Sequence, residues 1–154
     1  MAKQHLEAIL SRTLKNNKMD CFKPEIWYMK IQNNPMAHKR TPADFIVLTE
    51  KYNILIECKE TKTNSFSFDR ITQDLDLQKF QNNLEKNYSY ILICFWHNIT
   101  KKSDLYIIDY KEFLSFKNKW PKKSITKKEA RKEWTTKYYV QVLKNNNLEI
   151  SYIY

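Results

Sequence analysis

Residues 42–68 read PADFIVLTEKYNILIECKETKTNSFSF, and the placing of charge within this apolar stretch decides the fold. Asp44 to Thr49 and Asn53 to Lys59 have the apolar and β-branched content of strands, and the polar residues between them suit a short turn. A turn centred near Glu50 and Lys51 makes Asp44 and Glu57 cross-strand partners, because partners in an antiparallel hairpin keep a constant index sum. Facing Cβ atoms lie roughly 5 Å apart, so two carboxylates there repel unless a cation lies between them. The strand period of two sends Glu57 and Lys59 to one face and Ile54, Ile56 and Cys58 to the other, buried face. Two carboxylates and an ammonium thus converge.

Carboxylates are hard ligands that suit Mg²⁺ or Mn²⁺ rather than zinc, and Mg²⁺ keeps several waters, one of which can attack a phosphodiester. Lys59 is the candidate to orient or help deprotonate that water and to stabilise charge on the phosphate. A lone Glu-x-Lys in a lysine-rich chain reads as a surface ion pair. Pro42-x-Asp44 followed after a hairpin by Glu57-x-Lys59 on an apolar strand is far more specific.

Upstream, Leu6, Ile9, Leu10 and Leu14 recur at helical spacing, predicting an amphipathic helix over about 2–16 with Glu7 beside its stripe as a plausible extra ligand. Trp27, Met29 and Ile31 alternate with polar neighbours as in a strand, and a loop over about 32–42 carries His38, Lys39 and Arg40. Downstream, Ile71, Leu75, Phe80 and Leu84 predict a helix over about 70–85, followed by strands at 88–96 and 105–109 and a short helix at 110–117. Thr126 with Glu129 fits a capping box that opens a helix at 127–134, and 138–143 with 148–153 read as a hairpin. The sum is a mixed α/β layer fold, a central sheet flanked by helices.

The 154 residues fit one domain, 1–154. A net charge of +10 favours a polyanionic partner, although the abundance of Lys, Asn, Ile and Tyr also fits compositional drift. The densest basic run, Lys122, Lys123, Lys127, Lys128, Arg131 and Lys132, suits either a phosphate backbone or a solvated helix face, and Trp120 and Trp134 beside it read as packing residues. Cys21, Cys58 and Cys94 suggest neither a disulfide framework nor a zinc site, and His5, His38 and His97 are scattered. With no membrane span and no apolar leader, the expected location is cytoplasmic. The chain has no glycine, which excludes Gly-rich phosphate loops and hands positive-φ turns to asparagines at 33–34, 53 and 145–147.

The stretch from Pro42 through Phe68 resembles the RecU-type Holliday junction resolvases, a branch of the PD-(D/E)xK nucleases with a restriction-endonuclease-like fold. Asp44, Glu57, Lys59, Glu60-Thr61 and Ser65-Phe66 stand where that family has its metal-binding Asp, Glu-x-Lys, Glu-Thr and Ser-Phe. Glu7 in KQHLEAI, the strand ending ICFW, LYIIDYKEFLSF and KKSITKKEA resemble further parts, so the likeness covers most of the chain. It implies a Mg²⁺-dependent homodimer that nicks four-way DNA junctions, with Asp44, Glu57, Lys59 and Glu7 as catalytic residues. The metal would lie on Asp44, Glu57 and the Cys58 backbone carbonyl, and the candidate DNA contacts are Lys39, Arg40, Thr61, Lys62, Arg70, Gln73 and Gln78. There are departures from the family pattern. No glycine precedes the first acidic helix, and the His-Gln pair falls at Asp74-Leu75, leaving Gln73 or Gln78 to take its role only with a shift. The protruding stalk is reduced to about 32–42. A repair or restriction-type nuclease without junction selectivity, or a DNA-binding module that does not cleave, stays open.

Overall fold

A threonine closes the hairpin of the 42–68 stretch in this computed structural model, which describes residues 5–15, 26–32, 41–97, 103–134, 137–142 and 148–152. The Thr49 hydroxyl accepts from the Lys51 and Tyr52 N–H groups at 3.3 and 2.8 Å, and the Thr49 N–H donates to the Tyr52 carbonyl at 2.8 Å. A hydroxyl that accepts backbone N–H groups two and three residues on is a threonine's way of stabilising a turn. Asn53 begins the second strand, where the sequence places its start, and donates its side-chain amide to Asn87 at 2.8 Å.

The elements in order are α1 (His5–Lys15), β1 (Ile26–Lys30), β2 (Phe45–Thr49), β3 (Asn53–Thr61), β4 (Ser65–Ser67), a 3₁₀ turn (Phe68–Arg70), α2 (Asp74–Asn83), β5 (Asn87–Phe95), β6 (Ser103–Asp109), α3 (Tyr110–Lys119), β7 (Ser124–Thr126), α4 (Lys127–Glu133), β8 (Lys137–Val142) and β9 (Leu148–Tyr152). Seven strands form a sheet in the order β1-β2-β3-β5-β6-β8-β9, and β4 pairs with β7 in a separate ribbon. β2 and β3 pair antiparallel from Phe45↔Ile56 to Leu48↔Asn53, the index sum the sequence predicts. β3 and β5 run parallel. The Asn53 N–H donates to the Lys86 carbonyl where both begin, and the Trp96 N–H donates to the Thr61 carbonyl where both end. The fold is therefore mixed α/β, with a central mixed sheet and flanking helices.

The chain forms two compact units, Met1–Cys58 with Gln73–Tyr90, and Lys59–Thr72 with Ile91–Tyr154. Within the first, α1 buries Leu6, Ile9, Leu10 and Leu14, and the hairpin buries Phe45, Val47, Ile54, Leu55 and Ile56. Each such side chain contributes about 1.5–3 kcal/mol when fully taken out of water. The second is built on aromatic contacts: Phe68 meets Phe113 edge to face at 5.7 Å, and Trp134 meets Tyr106 at 5.2 Å and Phe116 at 5.7 Å. Trp134 is a packing residue as expected, and Trp120 stacks on Phe116 at 5.0 Å.

Two expectations need correcting. The alternation in β3 does not leave one open face: Ile54 to Cys58 are all buried, because β3 lies between two neighbours and runs parallel to one of them, an environment covered on both sides. The stripe assigned to 70–85 fails because the helix starts only at Asp74, after a strand and a 3₁₀ turn that propensity did not reveal; Leu77 and Gln81 face inward, while Leu75 and Leu84 are exposed. The strand expected at Trp27 to Ile31 is present as β1, at the end of the strand order, with Trp27 and Met29 55% and 49% exposed. The stalk-like loop lies almost wholly outside the described residues, as do His38, Lys39, Arg40, Cys21 and the turn asparagines 33–34 and 145–147.

Candidate active site

β2 begins one residue after Asp44, and there the regular ladder gives way to contacts that fasten this residue. Its N–H donates to the Ile56 carbonyl at 2.9 Å, its carbonyl accepts from the Ile31 N–H at 2.7 Å, and its Oδ2 accepts from the Cys58 N–H at 2.7 Å. Asp44 thus reaches β3 on either side of Glu57, once with backbone and once with carboxylate. An ionised acceptor makes the Cys58 contact stronger than an ordinary amide bond and fixes the side chain's rotamer.

Glu57 is 1% exposed in a strand segment of Leu, Ile and Cys side chains. Taking a carboxylate out of water to that degree is costly, and folds retain such a group only where something repays it. Lys59 follows two residues on along the same strand and is half-buried. Among the described residues no three His, Cys, Asp or Glu side chains gather as a metal site.

Glu7, on α1, forms an ion pair with Lys30 of β1 at 2.7 Å. Lys30 is the cross-strand partner of Phe45, the residue after Asp44. Sequence reasoning missed Lys30, although its alternation with Met29 on a predicted strand was the signal that could have found it.

Beyond Lys59, β3 ends in a turn made of hydroxyls. Thr61 Oγ1 lies 3.0 Å from Thr63 Oγ1 and donates to the Ser65 carbonyl at 3.3 Å, and Thr63 Oγ1 donates to the same carbonyl at 2.8 Å. Thr61 is buried with its hydroxyl committed to this turn, whereas Lys62 is exposed. The Glu60 carboxylate accepts from Trp96 Nε1 at 3.3 Å, and Arg70 Nη2 donates to the Glu60 carbonyl at 2.7 Å. Gln73 precedes α2 as its N-cap without a side-chain capping bond, and Gln78 is half-buried on that helix.

Half of the basic run at 122–132 is spent internally. Lys122 pairs with Glu129, and Arg131 grips Asp104 at 2.6 and 3.3 Å and lies 3.3 Å from His97 Nε2. Lys127, 7% exposed, has its ammonium buried without a hydrogen-bond partner, and burial, with the Arg131 charge adding to it, lowers its pKa. Cys94 is fully buried, and its thiol pKa is raised well above the ordinary value by burial first and by the Glu60 and Asp104 charges second. Neither is a candidate for surface chemistry. Lys123, Lys128 and Lys132 stay exposed.

No helix among the described residues is long and apolar enough to cross a membrane. No protein-family model and no curated protein matches the chain. Among solved structures, the chain is similar to Hjc, a Holliday junction resolvase from the archaeal hyperthermophile Archaeoglobus fulgidus, with 13% identity over 56% of this chain and 66% of that one and a TM-score of 0.37.

Proposed function

We propose that this chain is a metal-dependent DNA endonuclease of the PD-(D/E)xK type that cuts four-way junctions, working as a homodimer in the cytoplasm. The observation that carries the reading is Asp44, tied by its carboxylate to the Cys58 N–H at 2.7 Å, beside a Glu57 buried within an apolar strand. A divalent cation held there would place positive charge between two acids. The donor set fits Mg²⁺, which binds through one or two carboxylates and keeps its waters, better than zinc, which asks for nitrogen or sulfur.

Asp44, Glu57 and the Cys58 carbonyl would hold the ion, and bound there it would supply a water of lowered pKa and charge to polarise the phosphate. The protein's own part is positional. The Cys58 N–H aims Asp44, the apolar walls of β3 keep Glu57 in one rotamer, and Lys59 offers an ammonium to orient the attacking water and meet charge on the phosphate oxygens. Glu7, paired with Lys30, serves as an orienting group rather than a direct ligand.

The test is cleavage of a synthetic four-way junction beside linear duplex of matching sequence, in Mg²⁺ and in EDTA. Paired symmetric nicks in the junction alone, lost in EDTA and in Asp44→Asn and Lys59→Ala, are expected. Equal cutting of both substrates would leave a general nuclease, binding without cutting would leave a DNA-binding module, and cutting by the variants at the parent rate would remove the assignment.

A further inference from the structure

Arg70 is an exposed cation held by contacts that leave its charge unneutralised. It closes the three-residue 3₁₀ turn that begins at Phe68. That turn is anchored on both sides: Phe68 and Ile71 are buried, the Phe68 N–H donates to the Lys123 carbonyl at 3.0 Å, and the Ile71 N–H donates to the Phe68 carbonyl at 3.1 Å. From this base Arg70 Nη2 reaches the Glu60 carbonyl at 2.7 Å, while its guanidinium carbon sits 5.3 Å from the centroid of the fully buried Phe66 ring.

Those are its partners among the described residues, and neither carries a negative charge. The neighbouring carboxylate, Glu60, meets the Trp96 indole instead. A guanidinium has five N–H donors in a rigid plane, so one bond to a carbonyl leaves enough of the fork to take two oxygens of a phosphate. Having its orientation set in advance also cuts the rotamer entropy that binding must otherwise overcome. Lys62, also exposed, offers only a point charge on a flexible stem.

We propose that Arg70 is a phosphate clamp: it grips the two nonbridging oxygens of one backbone phosphate of the DNA strand, and its anchor on the Glu60 carbonyl fixes that phosphate relative to the end of β3 that carries Lys59. The proposal rests on the nuclease reading above and specifies which side chain positions the strand. It assigns Arg70 to positioning, not to catalysis.

The experiment compares the parent with Arg70→Ala, Arg70→Met and Arg70→Lys, reading junction and duplex affinity in EDTA across a salt series, cleavage in Mg²⁺, and thermal midpoint. Losing one phosphate contact should weaken binding about tenfold and reduce the slope of log affinity against log salt by about 1. Arg70→Ala and Arg70→Met should both show this, with KM rising and kcat little changed. Arg70→Lys should restore the slope without the affinity, since one ammonium cannot reproduce the fork. Arg70→Met keeps an aliphatic stem over Phe66, so a lowered midpoint with parental affinity and slope in that variant would make Arg70 a structural brace and overturn the clamp. Parental affinity in Arg70→Lys would overturn the two-point grip. If the parent cuts DNA and every Arg70 variant binds like it, the clamp alone is wrong, whereas a parent that neither binds nor cuts DNA removes the nuclease reading and the clamp with it.

Discussion

Two charged regions of this chain meet different fates in the fold. The basic run at 122–132 carries six cations, yet Lys122 and Arg131 are neutralised by Glu129 and Asp104, and Lys127 is buried. The Asp44–Lys59 stretch holds fewer charges, but one of them lies where burial is costly: Glu57 is buried in an apolar strand, and Asp44 is fastened beside it. Density of charge is therefore a poor guide to a site. What distinguishes the regions is whether the fold itself consumes the charge, as it does at α4, or carries it at a cost, as it does on β3.

The sharpest way to break that comparison is Glu57→Gln. The amide keeps shape and volume and removes the charge, so cleavage should fall by about a thousandfold, the several kcal/mol that a bound metal ion supplies. The thermal midpoint should hold or rise, because a buried charge is exchanged for a neutral group. A variant that loses stability and keeps its activity would show that Glu57 serves the fold after all.

Arg131→Ala probes the other region and should behave in the opposite sense. It leaves the Asp104 carboxylate, 6% exposed as a side chain, without its guanidinium. Stripping one partner from a fully buried pair costs about 3–5 kcal/mol, and since the Arg131 side chain is 53% exposed we expect about 2 kcal/mol in urea unfolding at constant m-value. Lys132→Ala, at an exposed position of the same helix, should stay within about 0.5 kcal/mol. If Arg131→Ala instead left stability alone and abolished DNA binding, the basic run would regain its place as a phosphate surface.

What was legible in the sequence follows from the range of the interactions involved. The β2–β3 register could be read because a short turn fixes an index sum, and the capping box because Thr126 and Glu129 act within one turn of helix. β4 went unread because it gains its strand geometry from pairing with β7, Ser65↔Thr126 to Ser67↔Ser124, a partner far along the chain, and the helix expected over 70–85 proves shorter, Asp74–Asn83. The fate of the basic run was equally hidden, because Arg131 meets Asp104 across 27 residues. At the candidate site, spacing gave Asp44 opposite Glu57 but could not give the Cys58 N–H bond to Asp44, the Lys30 partner of Glu7, or Arg70 over Phe66. Each depends on where separate elements come to rest.

A smaller effect than that of Arg131→Ala belongs to the cap of α4, where Glu129 meets Lys122 and Thr126. Thr126 Oγ1 accepts from the Glu129 N–H at 3.2 Å, and Glu129 Oε2 accepts in return from the Thr126 N–H at 2.9 Å. Thr126→Ala should cost about 1 kcal/mol, measured by urea unfolding. Glu129 adds a dependence on pH. The Lys122 hydrogen bond, and then the Thr126 N–H, lower its pKa to about 2. A carboxyl whose folded pKa lies below its unfolded value contributes stability that is full above the unfolded value, near 4.5, and is lost as pH falls toward the folded one. The parent should therefore lose stability between about pH 4.5 and 2 by an increment that Glu129→Gln lacks. Because the pair is solvent-facing, salt should shrink the increment, and parallel unfolding curves of parent and variant across that window would show that this charge, too, is not consumed by the fold.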